Sequence, residues 1–257
     1  MTRVRIAEWN AFYKYGTFSK MERIRPMLCE RKFYFSSPSQ LNDPSDCRNV
    51  VKDHSAEEIE QFLIEANRQF YGDTRGNDYI KQGIKQFGIT TLLDEMSKQF
   101  NKIMDTRYGV FSLAKRPDNM GLWAKYADDH KGYCLEFSDL SDFSYVYEVI
   151  YSDKIPLGLS SEIDPSQADF LFTKSREWSN EEEARILSKP PGMQVLPREA
   201  LRGIILGEYC DEMSEKNVIA WVQECNANIE VKKAKFNSGR QKLEFLTITS
   251  NRPPQPT

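Results

Sequence analysis

A chain of 257 residues with 40% hydrophobic and 28% charged side chains has the composition of a folded globular protein and can bury roughly three quarters of its unfolded surface. A formal charge of −3, with no basic tail or stripe, argues against a general nucleic-acid binder. No segment approaches the roughly eighteen apolar residues that span a bilayer, and the N-terminus lacks the apolar run of a signal peptide, so a cytoplasmic protein without a membrane partner is expected.

In chain order, the aromatic run from Trp9 to Tyr15, closed by Gly16, predicts a first strand. Ser19 is placed as the N-cap of a helix from about Lys20 to Glu30, with Met21, Ile24 and Leu28 on one face. Lys32 to Ser36 predicts a second strand, which stops at the loop Ser37 to Asp46, dense in proline and in residues that bond their own backbone. From Ser55 to about Asp105 the apolar spacing is helical, giving a helical insertion between the second and third strands. Tyr108 to Leu113 predicts the third strand.

The stretch Leu122 to Phe137 changes period midway. Leu122 to Tyr126 reads as a short helix, whereas Tyr133, Leu135 and Phe137 alternate as in a strand. Gly132 marks the switch as a helix-ending glycine, and His130 two residues earlier is best explained by interaction with the helix dipole. Tyr145 to Tyr151 predicts another strand, Leu157 to Pro165 a loop, and Glu177 to Leu187 a segment ending in a strand. Leu201 to Gly207 then predicts a buried strand, Met213 to Cys225 a helix, and Ile229 to Phe236 with Lys242 to Thr249 a late hairpin. The expected class is α+β, a single domain over residues 1–250 around a central mixed or split β-sheet, with residues 251–257 a flexible tail. The five cysteines are widely spaced, which suggests neither a zinc site nor a disulfide framework and fits a reducing compartment.

The sharpest chemical candidate is Glu181-Glu182-Glu183-Ala184-Arg185. Strand periodicity would put Glu181, Glu183 and Arg185 on one face, where crowded carboxylates and a guanidinium push pKa values apart. A solvated face with a Glu–Arg pair is the competing reading at even weight. Tyr13, Lys14 and Tyr15 offer two rings and an ammonium group for a flat anionic ligand, against a plain amphipathic strand. Asn42, Asp43 and Asp46 sit in a loop near the expected cleft, where Asx-turn chemistry explains them better than a metal does. No phosphate-binding glycine loop, zinc-protease or nucleophile-elbow motif occurs.

Several ordered motifs, Tyr13-Lys14-Tyr15, Phe33 to Pro38 with Leu41-Asn42-Asp43-Pro44 and Asp46, Phe111-Ser112-Leu113, Trp123 with Tyr126-Ala127 and His130-Lys131-Gly132, Trp178 with Glu181, Glu183 and Arg185, and Ile204 to Gly207, together resemble the bacterial family catalogued as domain of unknown function 2971. Ala184 departs from it, standing where an aromatic residue is expected. That family name implies no activity. The motif order is also loosely similar to ADP-ribosyltransferases. This likeness implies an effector or toxin, for example in phage defence, that uses NAD as substrate and modifies an unknown protein or nucleic-acid acceptor. It assigns stacking to Tyr13 or Tyr15, positioning to Ser112, the ribose 2′-hydroxyl to Glu183, the acceptor to Glu181 and the pyrophosphate to His130 or Arg185. Trp123 and Tyr126 would wall the cleft. Two alternatives stay open: a metal-dependent nuclease or other hydrolase built on Asp43, Asp46, Glu181 and Glu183, and a non-catalytic ligand sensor or partner-binding protein. A cavity between Tyr13, Ser112 and Glu183 is what the transferase reading requires.

Overall fold

Short alternating segments, each with one apolar face, assemble into one large sheet because only pairing with neighbours buries those faces while satisfying the backbone. The computed structural model describes residues 5–48, 54–71, 76–138, 140, 145–157, 169–225 and 228–250; the predicted tail at 251–257 and most of the predicted loop at 157–165 lie outside them. In chain order the regular elements are β1 (Phe12–Gly16), α1 (Ile24–Glu30), β2 (Lys32–Phe35), α2 (Ala56–Tyr71), α3 (Gly76–Phe87), α4 (Ile89–Arg107), β3 (Gly109–Ala114), α5 (Met120–Tyr126), β4 (Tyr133–Phe137), β5 (Tyr147–Glu148), β6 (Ile150–Ser152), β7 (Thr173–Ser175), β8 (Glu183–Ser188), β9 (Gly192–Val195), β10 (Leu201–Leu206), α6 (Glu212–Glu224), β11 (Glu230–Asn237) and β12 (Lys242–Ser250).

The class is α+β. Eight strands form a mixed sheet in the order β12-β11-β10-β4-β1-β3-β8-β5, and two smaller ribbons pair β2 with β9 and β6 with β7. Within the large sheet β10 and β11 run parallel and the other neighbours antiparallel. Helices α2 to α4 form the insertion between the second and third strands, with a cluster of their own around Leu63, Ile80 and Leu93. One face of the sheet packs Phe111, Leu135, Phe137, Ile186 and Ile204 against β2, α1 and α6. The other face packs Cys134, Ile205 and Ala234 against Trp123 and Ala127.

The sheet opens at one place. β1 is paired with β4 at five register positions but with β3 only at Tyr13 opposite Ala114. At its other end β3 turns to a different neighbour: the N–H of Val110 donates to the Ser36 carbonyl at 2.7 Å and the N–H of Ser36 to the Val110 carbonyl at 3.0 Å. Ser112 lies between these two attachments, where β1 and β3 diverge.

Several local expectations need correction. The helix predicted from Lys20 becomes a 3₁₀ segment over Phe18–Arg23 before α1, because Lys20 departs from helical geometry and Pro26, which lacks an N–H, fits the first turn of a new helix. The strand predicted over Tyr145–Tyr151 divides at Val149, whose N–H donates to the Glu183 carbonyl at 2.9 Å; β5 joins the large sheet and β6 the β7 ribbon. Cys29 and Cys225, which the spacing left unpaired, are joined as a disulfide between the ends of α1 and α6, with Cα atoms 5.3 Å apart. Sequence separation concealed a proximity that helix packing creates. Among the described residues no helix is long and apolar enough to cross a membrane.

Gly132 is also not a left-handed helix cap. After α5 the residues with positive φ are Asp128, Asp129 and His130, whereas a Cβ at Gly132 would collide with the Gly16 carbonyl. The close approach of strands, not backbone handedness, demands glycine there. At Gly207 a Cβ would strike the His130 carbonyl. Gly207→Ala is therefore expected to cost about 2–3 kcal/mol and lower the melting temperature by roughly 5–10 °C, whereas Gly239→Ala in the β11–β12 turn should stay within about 0.5 kcal/mol of the parent. Thermal unfolding of the two variants tests the packing.

Candidate functional site

Register aligns residues distant in sequence. Tyr13 on β1 lies opposite Ala114 on β3, which lies opposite Glu183 on β8; one row on, Ser112 pairs with Arg185. Because side chains alternate across a strand, Tyr13, Ser112, Ala114, Glu183 and Arg185 all project from the same face. A cavity of about 280 Å³ opens on that face, beside the divergence of β1 and β3. Of the residues predicted for the site, Tyr13, Lys14, Tyr15, Asn42, Asp46, Ser112, Tyr126, Glu181 and Glu183 line it.

The remaining four predicted residues do not. Trp123 is fully buried, with its indole N–H donating to the Pro117 carbonyl at 2.7 Å and its ring meeting the edge of Tyr15 at 5.3 Å. His130 stacks on the far side of Trp123, with ring centroids 5.9 Å apart, as part of the left-handed turn. It lies in that turn and not at a helix end. The Asp43 carboxylate folds back on its own loop, accepting from the Ser45 N–H at 2.9 Å and the Ser45 hydroxyl at 2.6 Å. Arg185 lies beneath the cavity floor, with none of its side chain exposed.

Around Arg185 the structure builds a buried ion network. The guanidinium donates to both Asp46 oxygens, from Nη1 to Oδ1 at 2.9 Å and from Nη2 to Oδ2 at 2.7 Å. Nε also donates to Glu183 Oε1 at 2.6 Å, and Nη1 to the Leu171 carbonyl at 2.7 Å. The Lys174 ammonium completes the cluster, donating to Glu183 Oε2 at 3.0 Å and Glu181 Oε2 at 2.7 Å. Two cations thus hold three carboxylates, an arrangement whose attraction has to offset several kcal/mol of desolvation per ion. The solvated-face reading of this run fails: Glu183 is 5% exposed and Glu181 7%.

Glu181 reaches the cluster by a route that period-two spacing did not describe. It sits in a 3₁₀ turn, Glu182 follows in the left-handed region with φ 46°, and the strand begins only at Glu183. The kink sends Glu182 outward to Arg116 and leaves both neighbours facing inward. Glu181 Oε1 accepts from the Tyr126 hydroxyl at 2.7 Å and from Lys125 at 3.3 Å, and Asn42 donates to the Tyr126 oxygen at 3.1 Å. Lys125 lies 3.5 Å from the centre of the Trp178 ring, a cation–π contact beside its bond to Glu181. Ala184 points to the opposite face and packs in the main core, away from the cavity.

Ionisation follows from these contacts. Burial pushes the Glu183 carboxyl up, but Arg185 and Lys174 together overcome it and hold the pKa at about 2. Burial pulls Lys174 down and Arg185 down, and in each case the carboxylates more than restore the charge. Burial, reinforced by the bond to Glu181, raises the Tyr126 phenol. Burial also pushes Tyr13 up to about 12. Lys14 behaves oppositely to Lys174, with burial pulling its amine down to about 8 against a weaker opposing pull from Glu183.

Lys174 is the principal residue that sequence reasoning missed. The available signal was a lysine two residues after the apolar run Phe170-Leu171-Phe172 and a few residues before an excess of acid. Gln40 and Leu41 line the cavity beside the loop candidates Asn42 and Asp46 and were missed. For a metal site, the relevant observation is that Asp46, Glu181 and Glu183 each already face a protein cation.

Removing the guanidinium by Arg185→Met strands two buried carboxylates and should cost about 3–5 kcal/mol in urea unfolding at neutral pH. Because the Glu183 pKa is depressed from its ordinary 4.5 to about 2, its contribution is complete above 4.5 and disappears as pH falls toward 2. The urea midpoint of the parent should drop across that window, and the already weaker Glu183→Gln variant should lose less of its stability there.

No family model, curated protein or solved structure matches the chain, so what the site does is argued from its own geometry.

Proposed function

We propose that the cavity binds the nicotinamide–ribose end of NAD and that the chain is an ADP-ribosyltransferase-like enzyme. The observation that carries this reading is the convergence of Tyr13, Ser112 and Glu183, from β1, β3 and β8, on a single cavity. Its volume of about 280 Å³ suits one nucleoside-sized moiety better than a whole dinucleotide, so the adenylate half would extend outside.

The chemistry has a simple electrostatic logic. Cleavage of the bond between nicotinamide and C1′ develops positive charge on the ribose, and an ionised carboxylate held rigidly beside it stabilises that charge without reorganising. Glu183 is such a group, kept anionic by Arg185 and Lys174. It would accept the ribose 2′-hydroxyl, with Tyr13 or Tyr15 stacking on the ring and Ser112 positioning the amide or ribose. Glu181, paired with Tyr126 at 2.7 Å, would orient the acceptor. Arg185 and His130 do not reach the cavity, so neither supports the pyrophosphate role the resemblance implied.

A second reading has its own support. Both oxygens of Glu183 already accept hydrogen bonds from Arg185 and Lys174, as expected of a carboxylate that shapes a ligand-sensing pocket without turnover. Nicotinamide release and calorimetric binding of NAD distinguish the two. The transferase reading expects binding with slow release by the parent, and a loss of at least ~100-fold in release for Glu183→Gln. Tyr126→Phe, which leaves the buried ions intact, should bind NAD normally and lose transfer to the acceptor or to water. Binding without release supports the sensor; absence of both overturns the NAD reading.

A further inference from the structure

Five charged side chains line the cavity: Lys14, Asp46, Lys174, Glu181 and Glu183. Asp46, Glu181 and Glu183 are taken up by Arg185 and Lys174. Lys14 forms no ion pair among the described residues. Its ammonium instead donates to the Ser112 backbone carbonyl at 2.9 Å and lies 4.3 Å from the centre of the Phe111 ring. That position is the gap where β1 and β3 part, so the amine fills a slot between strands while still facing the cavity.

We propose that Lys14 is a nucleophilic amine and that the cavity is a covalent site for a small aldehyde or ketone. A desolvated lysine without a counter-ion carries an appreciable free-base fraction near neutrality, the condition under which lysines form Schiff bases. Burial lowering the Lys14 amine to about 8 agrees with that geometry. In the reaction the nitrogen lone pair attacks the carbonyl carbon, and a proton passes from nitrogen to the former carbonyl oxygen to give a carbinolamine. The oxygen then leaves as water, taking the second nitrogen-bound proton, and a C=N bond remains. No oxidant or reductant is consumed. The groups the structure places at Lys14 are Ser112 on β3, whose backbone carbonyl it bonds, and the charge of Glu183 on β8; Tyr13, Tyr15 and Tyr126 line the same cavity from β1 and α5. The size of the cavity limits the carbonyl compound to roughly the bulk of one aromatic ring with substituents.

This proposal does not depend on NAD and is tested without it. The full chain is incubated with pyridoxal as the probe aldehyde, reduced with borohydride, which delivers hydride to the imine carbon, and mapped by peptide mass spectrometry. The expected result is that Lys14 labels roughly tenfold faster than exposed lysines at neutral pH, after allowing for the weaker nucleophilicity that accompanies a lowered pKa. Its labelling rate should also level off above about pH 8, while exposed lysines continue to gain. Lys14→Arg should abolish the fast phase. Labelling spread evenly over exposed lysines in the parent, or a Lys14 rate that keeps rising with them, overturns the proposal irrespective of how the variant folds.

Discussion

The burial of Arg185 organises this molecule. A guanidinium with no solvent access has to be met by charge, and the charges that meet it come from Asp46 in the loop after β2 and Glu183 on its own strand. Asp46 is 139 residues away in sequence, so that one bidentate contact ties the loop to β8, the strand next to the edge of the sheet. Lys174 balances the surplus of carboxylate and draws in Glu181. Substituting hydrophobic residues for such a cluster is often harmless to stability elsewhere, whereas breaking it by removing one member is not. The cluster therefore specifies an arrangement more than it strengthens one: it requires the loop, the β7 segment and β8 to meet at a single point.

That requirement creates the cavity. The loop held by Asp46 also carries Gln40, Leu41 and Asn42 across the opening, and Asn42 continues the polar chain through Tyr126 to Glu181. Helix α4 supports the same loop from behind, since Asp105 accepts from the Ser39 N–H at 2.7 Å and from Arg48 at 2.9 Å. The helical insertion is thus coupled to the cavity wall. On the opposite side, β1 leaves β3 after one register position, and Lys14 occupies the space between them. With every cavity carboxylate anchored to an internal cation, the polar groups are held in fixed directions before any ligand enters, which is what electrostatic catalysis and selective binding both need.

Much of this was legible in the sequence, and the exceptions have physical causes. Period-two alternation located β4 at Tyr133–Phe137 without error, and the helical spacing of residues 55–105 marked the insertion. The motifs that suggested a cleft place nine of the predicted residues on one cavity. What periodicity could not express was backbone irregularity: the left-handed Glu182 that turns Glu181 inward, and the three left-handed residues that carry His130 away from any helix end. Nor could it reveal long-range partners. Lys174 looks like an ordinary lysine until Glu181 and Glu183 fold over it, and Cys29 looks unpaired until α6 brings Cys225 beside it.

Buried cations hold Glu183 as an anion beside the cavity. The carboxyl carbon of Glu183, observed by NMR as pH is varied with and without saturating NAD, tests it directly. A carboxylate that stays ionised until about pH 2, with a resonance that shifts when NAD is added, is expected. A carboxyl that titrates near its ordinary 4.5, or one that ignores NAD at every pH, would contradict it.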